Sequence, residues 1–212
     1  MTPRRLPTLL LLLACACDSP PEPVKAPAAP APQAAPAPKA APAPQAAPAA
    51  AAPAAAAGDL QFTAPPGWVA ETPSSKMRKA QYTLPRAEGD AADASLVLYY
   101  FGSGGGGGRE ANLERWAGQF EQPDGSDSSA RMKSSDRTVN GLAVTDVDLS
   151  GTYVAETAPG SGERVREEGW RMLASIVETP AGPYYAKLVG PEKTVAHWKA
   201  SYEAFVGSFK AP

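Results

Sequence analysis

The chain has 212 residues, with 20 Lys and Arg against 22 Asp and Glu, a formal charge of -2, 24 prolines and two cysteines. A near-neutral chain without a long basic run disfavours nucleic acid as a partner. Because the cysteines are Cys15 and Cys17, everything after them lacks a disulfide, a thiol nucleophile and a thiolate metal site.

At the start, Arg4 and Arg5 precede the apolar run Leu9 to Leu13, which closes on Leu12-Leu13-Ala14-Cys15. A bilayer takes about 20 apolar residues to span, so the segment 1–14 is read as a cleaved signal peptide and not as a permanent anchor. The quartet Leu12-Leu13-Ala14-Cys15 resembles the cleavage site of bacterial lipoproteins. That resemblance implies cleavage before Cys15, a diacylglycerol thioether on its sulfur and a fatty acyl group, such as palmitate, on the new amino terminus. Several chains at about 0.8 kcal/mol per buried methylene hold a protein stably on a membrane. Cys17 is the alternative lipidation position. Ala16 after Cys15 implies outer-membrane sorting, whereas Asp18 after Cys17 resembles an inner-membrane retention signal. The expected location is the bacterial cell envelope, facing the periplasm or exterior, on the outer membrane in preference to the inner.

Residues 15–58 are then the lipidated cysteine and a tether, almost wholly Ala and Pro from Ser19 to Ala57. Proline removes backbone donors, and alanine has too little apolar area to offset ordering entropy. A disordered linker with polyproline II character is expected. At about 3.1 Å per residue its stiffest limit reaches on the order of 120 Å, enough to hold a domain away from the lipid.

From Asp59 to Pro212 the chain changes character, and its sixteen Lys and Arg against twenty Asp and Glu describe a mildly acidic domain. About 150 residues suffice for one ordinary core. Leu60-Gln61-Phe62-Thr63 reads as a short strand, and Pro65-Pro66-Gly67-Trp68 as a turn that delivers an indole to the next one. Met77 to Leu84 alternates, with Pro85 ending it. Ser95 to Phe101 is apolar on both faces and rich in aromatic residues, as a central strand requires. After the glycine tract Gly102 to Gly108, the spacing of Leu113, Trp116, Ala117 and Phe120 predicts a helix over Arg109 to Phe120.

Val139-Asn140-Gly141-Leu142 predicts a hairpin on a type I′ turn, since both central residues tolerate positive φ. The arm Leu142 to Val154 alternates and is expected to be a long strand with one wet face, carrying Val144, Asp146 and Asp148. A charged, glycine-rich loop follows from Ala155 to Gly169. Trp170 to Thr179 and Tyr184 to Val189 read as two strands joined by Pro180-Ala181-Gly182-Pro183. Pro191-Glu192 opens a last helix, with proline and an acid in its first turn, and Val195, Trp198, Tyr202, Phe205, Val206 and Phe209 line its apolar side. The expectation is an α+β domain, a mostly antiparallel sheet flanked by two principal helices. Its opening Phe62-Thr63-Ala64-Pro65-Pro66-Gly67-Trp68 and its ending Phe205-Val206-Gly207-Ser208-Phe209 resemble the PsbP-like fold of photosystem II extrinsic proteins. That resemblance implies an α/β/α sandwich and a role as an accessory subunit, adaptor or assembly factor. No motif carries a catalytic or metal-binding residue across.

Four local features bear on chemistry. Gly104, Gly105 and Gly106, between a strand and a helix, with Arg109 at the helix start, form a speculative anion site, but the tract lacks the Gly-Lys-Ser/Thr ending of a phosphate loop. A mobile connector is the plainer expectation. His197 stands alone, without the partners a triad or metal site needs. Asp124, Ser126 and Ser128 alternate oxygens but lack the glycine and terminal glutamate of a calcium loop. Asp146 and Asp148, two apart on one strand, stand about 7 Å from each other, which suits a carboxylate pair for glycoside hydrolysis. No catalytic residue, cofactor or metal is assigned. Tyr99, Tyr100, Trp68, Trp170, Tyr184 and Tyr185 are read mainly as core. The expected function is a noncatalytic accessory or binding domain, monomeric, meeting the membrane through covalent lipid and an envelope protein or polymer through its surface. The alternative is a carboxylate-dependent hydrolase of an envelope saccharide.

Overall fold

Residues whose apolar positions repeat every second place pair across a sheet, and those that repeat at 3.6 cover it. The computed structural model describes residues 59–156 and 162–211. The signal-like segment, both candidate lipidation sites Cys15 and Cys17 and the Ala/Pro tract lie outside the described residues. The strands are β1 (Val69–Glu71), β2 (Arg78–Leu84), β3 (Ala94–Tyr100), β4 (Phe120–Glu121), β5 (Lys133–Val139), β6 (Leu142–Tyr153), β7 (Glu167–Val177) and β8 (Tyr184–Pro191); the helices are α1 (Arg109–Ala117), the single turn α2 (Ser128–Arg131) and α3 (Glu192–Gly207).

All eight strands form one antiparallel sheet in the order β1-β2-β3-β8-β7-β6-β4, with β5 paired to the first half of β6. The fold is α+β, as the residue pattern predicts. β3 lies inside the sheet, paired to β2 on one side and β8 on the other. The Asn-Gly hairpin between β5 and β6 has φ of 48° at Asn140 and 83° at Gly141, the left-handed pair that a type I′ turn requires.

The central strands β3, β8 and β7 carry apolar residues on both faces, and a helix covers each. On one side α3 lays Val195, Tyr202, Phe205 and Val206 over Leu96, Leu98, Leu173 and Leu188. On the other, Trp116 of α1 and Phe120 pack on Val147, Leu149, Met172 and Ile176. Phe62 stands edge-on to Phe205 at 5.4 Å and to Phe209 at 6.1 Å, so the two ends of this region meet in one aromatic cluster.

Three expectations are corrected. Leu60 to Thr63 is no strand: only Gln61 bridges, to Lys210, because Phe62 is drawn into the cluster instead of a ladder. The helix over Arg109 to Phe120 stops at Ala117, where Gly118 caps it, and Phe120 pairs with Tyr153 as β4. The Asp146 face of β6 is not simply wet, since it is the face that α3 partly covers, and the opposite residues Val147 and Leu149 are buried under α1.

Candidate functional site

Where α3 leaves the outer part of the sheet uncovered, a groove of about 470 Å³ runs between β5, β6 and α3. Its walls carry Lys133 and Arg137 from β5, Asp146 and Asp148 from β6, and Lys199 and Glu203 from α3. Strand parity puts the two aspartates on one face, so the structure does bring them into one cleft.

Neither carboxylate is free there. Asp146 accepts from Arg137 Nε and, at 2.6 Å, from Ser175 Oγ. Ser175 Oγ in turn lies 2.8 Å from the hydroxyl of Tyr202, and both of these residues are buried. Asp148 accepts from Arg171 Nε at 2.8 Å and from a second Arg171 nitrogen at 2.5 Å, and Lys199 Nζ stands 3.6 Å away. Burial pushes the Asp148 carboxyl up, but the bonds and charge of Arg171, with Lys199 and Lys133 behind them, outweigh it and hold the group below its ordinary value. Lys199 also pairs with Glu203, one helical turn on, at 3.2 Å. The groove is thus a lattice of fixed opposite charges, with the buried Tyr202-Ser175 pair bonded to the half-buried Asp146 beneath it.

The glycine tract is arranged differently from an anion cradle. Nδ2 of the fully buried Asn112 donates to the carbonyls of Gly106, Gly107 and Gly108 at 3.0, 3.2 and 2.8 Å. Tyr185 OH donates to Gly107 O at 2.9 Å. The carbonyls of this loop, and not its amides, meet the donors. A Cβ on Gly106, whose φ is 85°, would stand 2.6 Å from Tyr185 Cε2, so glycine is required there for the loop to reach the ring. Gly104 and Gly105 lie at its outer bend, where Gly105 N donates to Gly102 O at 3.1 Å. Arg109 donates to Asp136 Oδ2 on β5 at 3.0 Å. The structure therefore separates Gly104, Gly105, Gly106 and Arg109 from the Asp146 and Asp148 groove: they belong to opposite faces of the sheet.

His197 is exposed on α3. Asp124 accepts from Ser126 N at 3.0 Å and from Arg131 at 2.5 Å, a local turn closed by an ion pair. Of the aromatics, Trp68, Tyr184 and Tyr185 are core. Residue patterns did not single out Arg137, Arg171, Lys199 and Ser175. Their signal was register: Arg137 and Arg171 sit one step diagonal to the aspartates on the strands flanking β6, within reach of long side chains.

No family model matches the chain, and no curated protein does. Several solved structures are similar in outline, three of which follow. One is a Pseudomonas aeruginosa protein of unknown function, PA94, at 13% identity and TM-score 0.41, covering 62% of this chain and 81% of that one. Another is LpqN of Mycobacterium tuberculosis, described as involved in cell envelope biogenesis, at 11% identity and TM-score 0.45, covering 72% and 83%. The third is cyanobacterial PsbP from Synechocystis, at 12% identity and TM-score 0.42, covering 73% and 94%. Likeness this distant leaves the site to be read from its own chemistry.

Proposed function

We propose that this is a lipid-anchored envelope protein whose domain recognises a protein or envelope polymer through the groove between β5, β6 and α3, without catalysing a reaction. The pairing of both groove carboxylates with arginine carries the reading. A glycosidase acid must hold a proton near neutral pH, which takes a raised pKa; Arg171 and Lys199 lower that of Asp148. Fixed charges of both signs around a concave surface instead favour orientation and selection of a partner. Anchoring rests on the Leu12-Leu13-Ala14-Cys15 sequence. Among the described residues no helix is long and apolar enough to cross a membrane.

The test places a photo-crosslinking residue at Ser135 in the groove, and as a control at Glu114 on α1, in the full-length protein within intact envelopes. One crosslinked species recovered from Ser135 and not from Glu114, and lost on Lys199→Glu, is the expected result. Turnover of purified envelope glycan by the protein, abolished by Asp148→Asn, would replace this reading with the hydrolase. Cys15→Ser should release the protein from the membrane fraction, and mass spectrometry should find the acyl groups on Cys15; release caused only by Cys17→Ser would move the lipid there.

A further inference from the structure

On the sheet face opposite the groove, a second cavity of about 420 Å³ opens between α1, the glycine loop and strands β3 and β8. Two cations and several rings line it, among them Lys187, Arg115, Tyr99, Phe101 and Tyr185, and no carboxylate does. Lys187 comes from a strand position whose neighbours Ala186 and Leu188 are fully buried under α3, so parity sends its long side chain to the α1 side. There Nζ donates to Gln119 Oε1 at 2.5 Å and to Tyr153 OH at 3.3 Å, and stands 5.2 Å above the Tyr153 ring. An ammonium has three donors, so one remains. Arg115 bonds Asn112 Oδ1, and among the described residues neither cation forms an ion pair.

A charge withdrawn from water is ordinarily paired; Lys187 is half-buried and Arg115 beside it is exposed. Here desolvation, and then the charge of Arg115, lower Lys187 from its usual value to about 8, with no acid opposing them. Two like charges are held together beside a cavity whose lining joins aromatic rings to polar groups. Tyr99 and Phe101 stack with their planes 5° apart at 5.8 Å, and Phe101, 37% exposed, makes the lip. The glycine loop, pinned by Asn112 and Tyr185 as described above, packs directly against Phe101, where a Cβ on Gly106 would stand 2.8 Å from the ring. A concave pocket where aromatic rings meet a few convergent polar groups is a usual form of a small-molecule site, and this volume lies toward the lower end of the usual range of about 300–1,000 Å³.

We propose that this cavity binds a small organic anion, its carboxylate held by Lys187 and Arg115 and its planar apolar body against Tyr99 and Phe101. The arginine fork suits a planar two-oxygen acceptor, and the anion supplies the counter-charge that the protein itself withholds. The site shares no residue with the groove of the proposed function, so either can fail alone.

The full chain, produced without lipid so that no detergent competes, is titrated calorimetrically with 2-naphthoate, with neutral 2-naphthalenemethanol and with inorganic phosphate. Naphthoate is expected to bind at least about tenfold more tightly than either of the others. Lys187→Met should erase its advantage over the alcohol, and Arg115→Gln, which leaves the buried strand untouched, should reduce it. Lys133→Met, in the groove, should leave it unchanged. Equal affinity for naphthoate and the alcohol, phosphate binding as tightly as naphthoate, no heat from naphthoate at millimolar concentration, or an advantage undiminished by Lys187→Met or by Arg115→Gln would each overturn the proposal.

Discussion

Lys187 shows how one side chain sets a pH dependence for the whole fold. Its folded pKa, about 8, is below the 10.5 of an unperturbed lysine. Between those values the unfolded chain holds the extra proton, so stability rises with pH. The penalty for its charge is fully present below about pH 8 and gone above the unfolded value. The tyrosines act in the opposite sense. Burial, and then the nearby Tyr99, push Tyr153 up to about 12, and burial raises Tyr82, Tyr184 and Tyr202 above the ordinary 10.0. Beyond pH 10 the unfolded chain releases these protons first, and stability falls. The urea midpoint should therefore climb from about pH 8 to near 10 and decline above it. In Lys187→Met the climb should vanish while the decline stays; an unchanged climb would assign it to another group.

At the scale of elements, the β5-β6 turn joins local conformation to a distant contact. Gly141, at φ 83°, would strain any other residue by about 1–2 kcal/mol. Asn140 tolerates its own φ of 48° and also donates Nδ2 to Gly207 O, at the last residue of α3, at 3.2 Å and to Phe209 O just after it at 2.9 Å. Gly141→Ala and Asn140→Gly should each destabilise by about 1–2 kcal/mol in urea unfolding. Only Asn140→Gly should also speed amide exchange at Phe209 and Lys210, whose own amides bond backbone carbonyls. This turn, β3, β8 and α3 were legible because their determinants are local: an Asn-Gly pair, a two-faced apolar run, a 3.6-residue stripe. The end of α1 was not, because Phe120 fits the helical spacing equally well and only its pairing with Tyr153 decides. For the groove, parity was enough to place Asp146 and Asp148 together. Their arginines come from β5 and β7 and the lysine from α3, so the neutralised state depends on register and helix docking that no local window contains. Tyr202 read as core, and is core, yet its hydroxyl meets Ser175 under the groove.

For the molecule as a whole, the closing cluster decides whether the domain unfolds as a unit. Phe209 is fully buried, 4.9 Å from the Phe205 ring and edge-on to Phe62. The next residue, Lys210, exchanges both backbone hydrogen bonds with Gln61 at 3.0 Å. Two residues before that bridge, Asp59 ties to Lys79 on β2 at 2.9 Å and accepts from Tyr184 OH on β8 at 3.3 Å. From Asp59 onward the chain thus meets the fold where its last residues, α3 and the sheet are locked together. Phe209→Ala leaves a void in that lock and should cost about 3–5 kcal/mol, a large part of the 5–15 kcal/mol typical of a domain. Because the void is shared by the amino-terminal segment, α3 and the sheet, the loss should shift one transition without splitting it. Aromatic circular dichroism in the near ultraviolet and backbone dichroism in the far ultraviolet should give the same lowered urea midpoint. If the aromatic signal melts first while the backbone signal keeps its wild-type midpoint, the cluster is a detachable clasp that opens before the sheet yields.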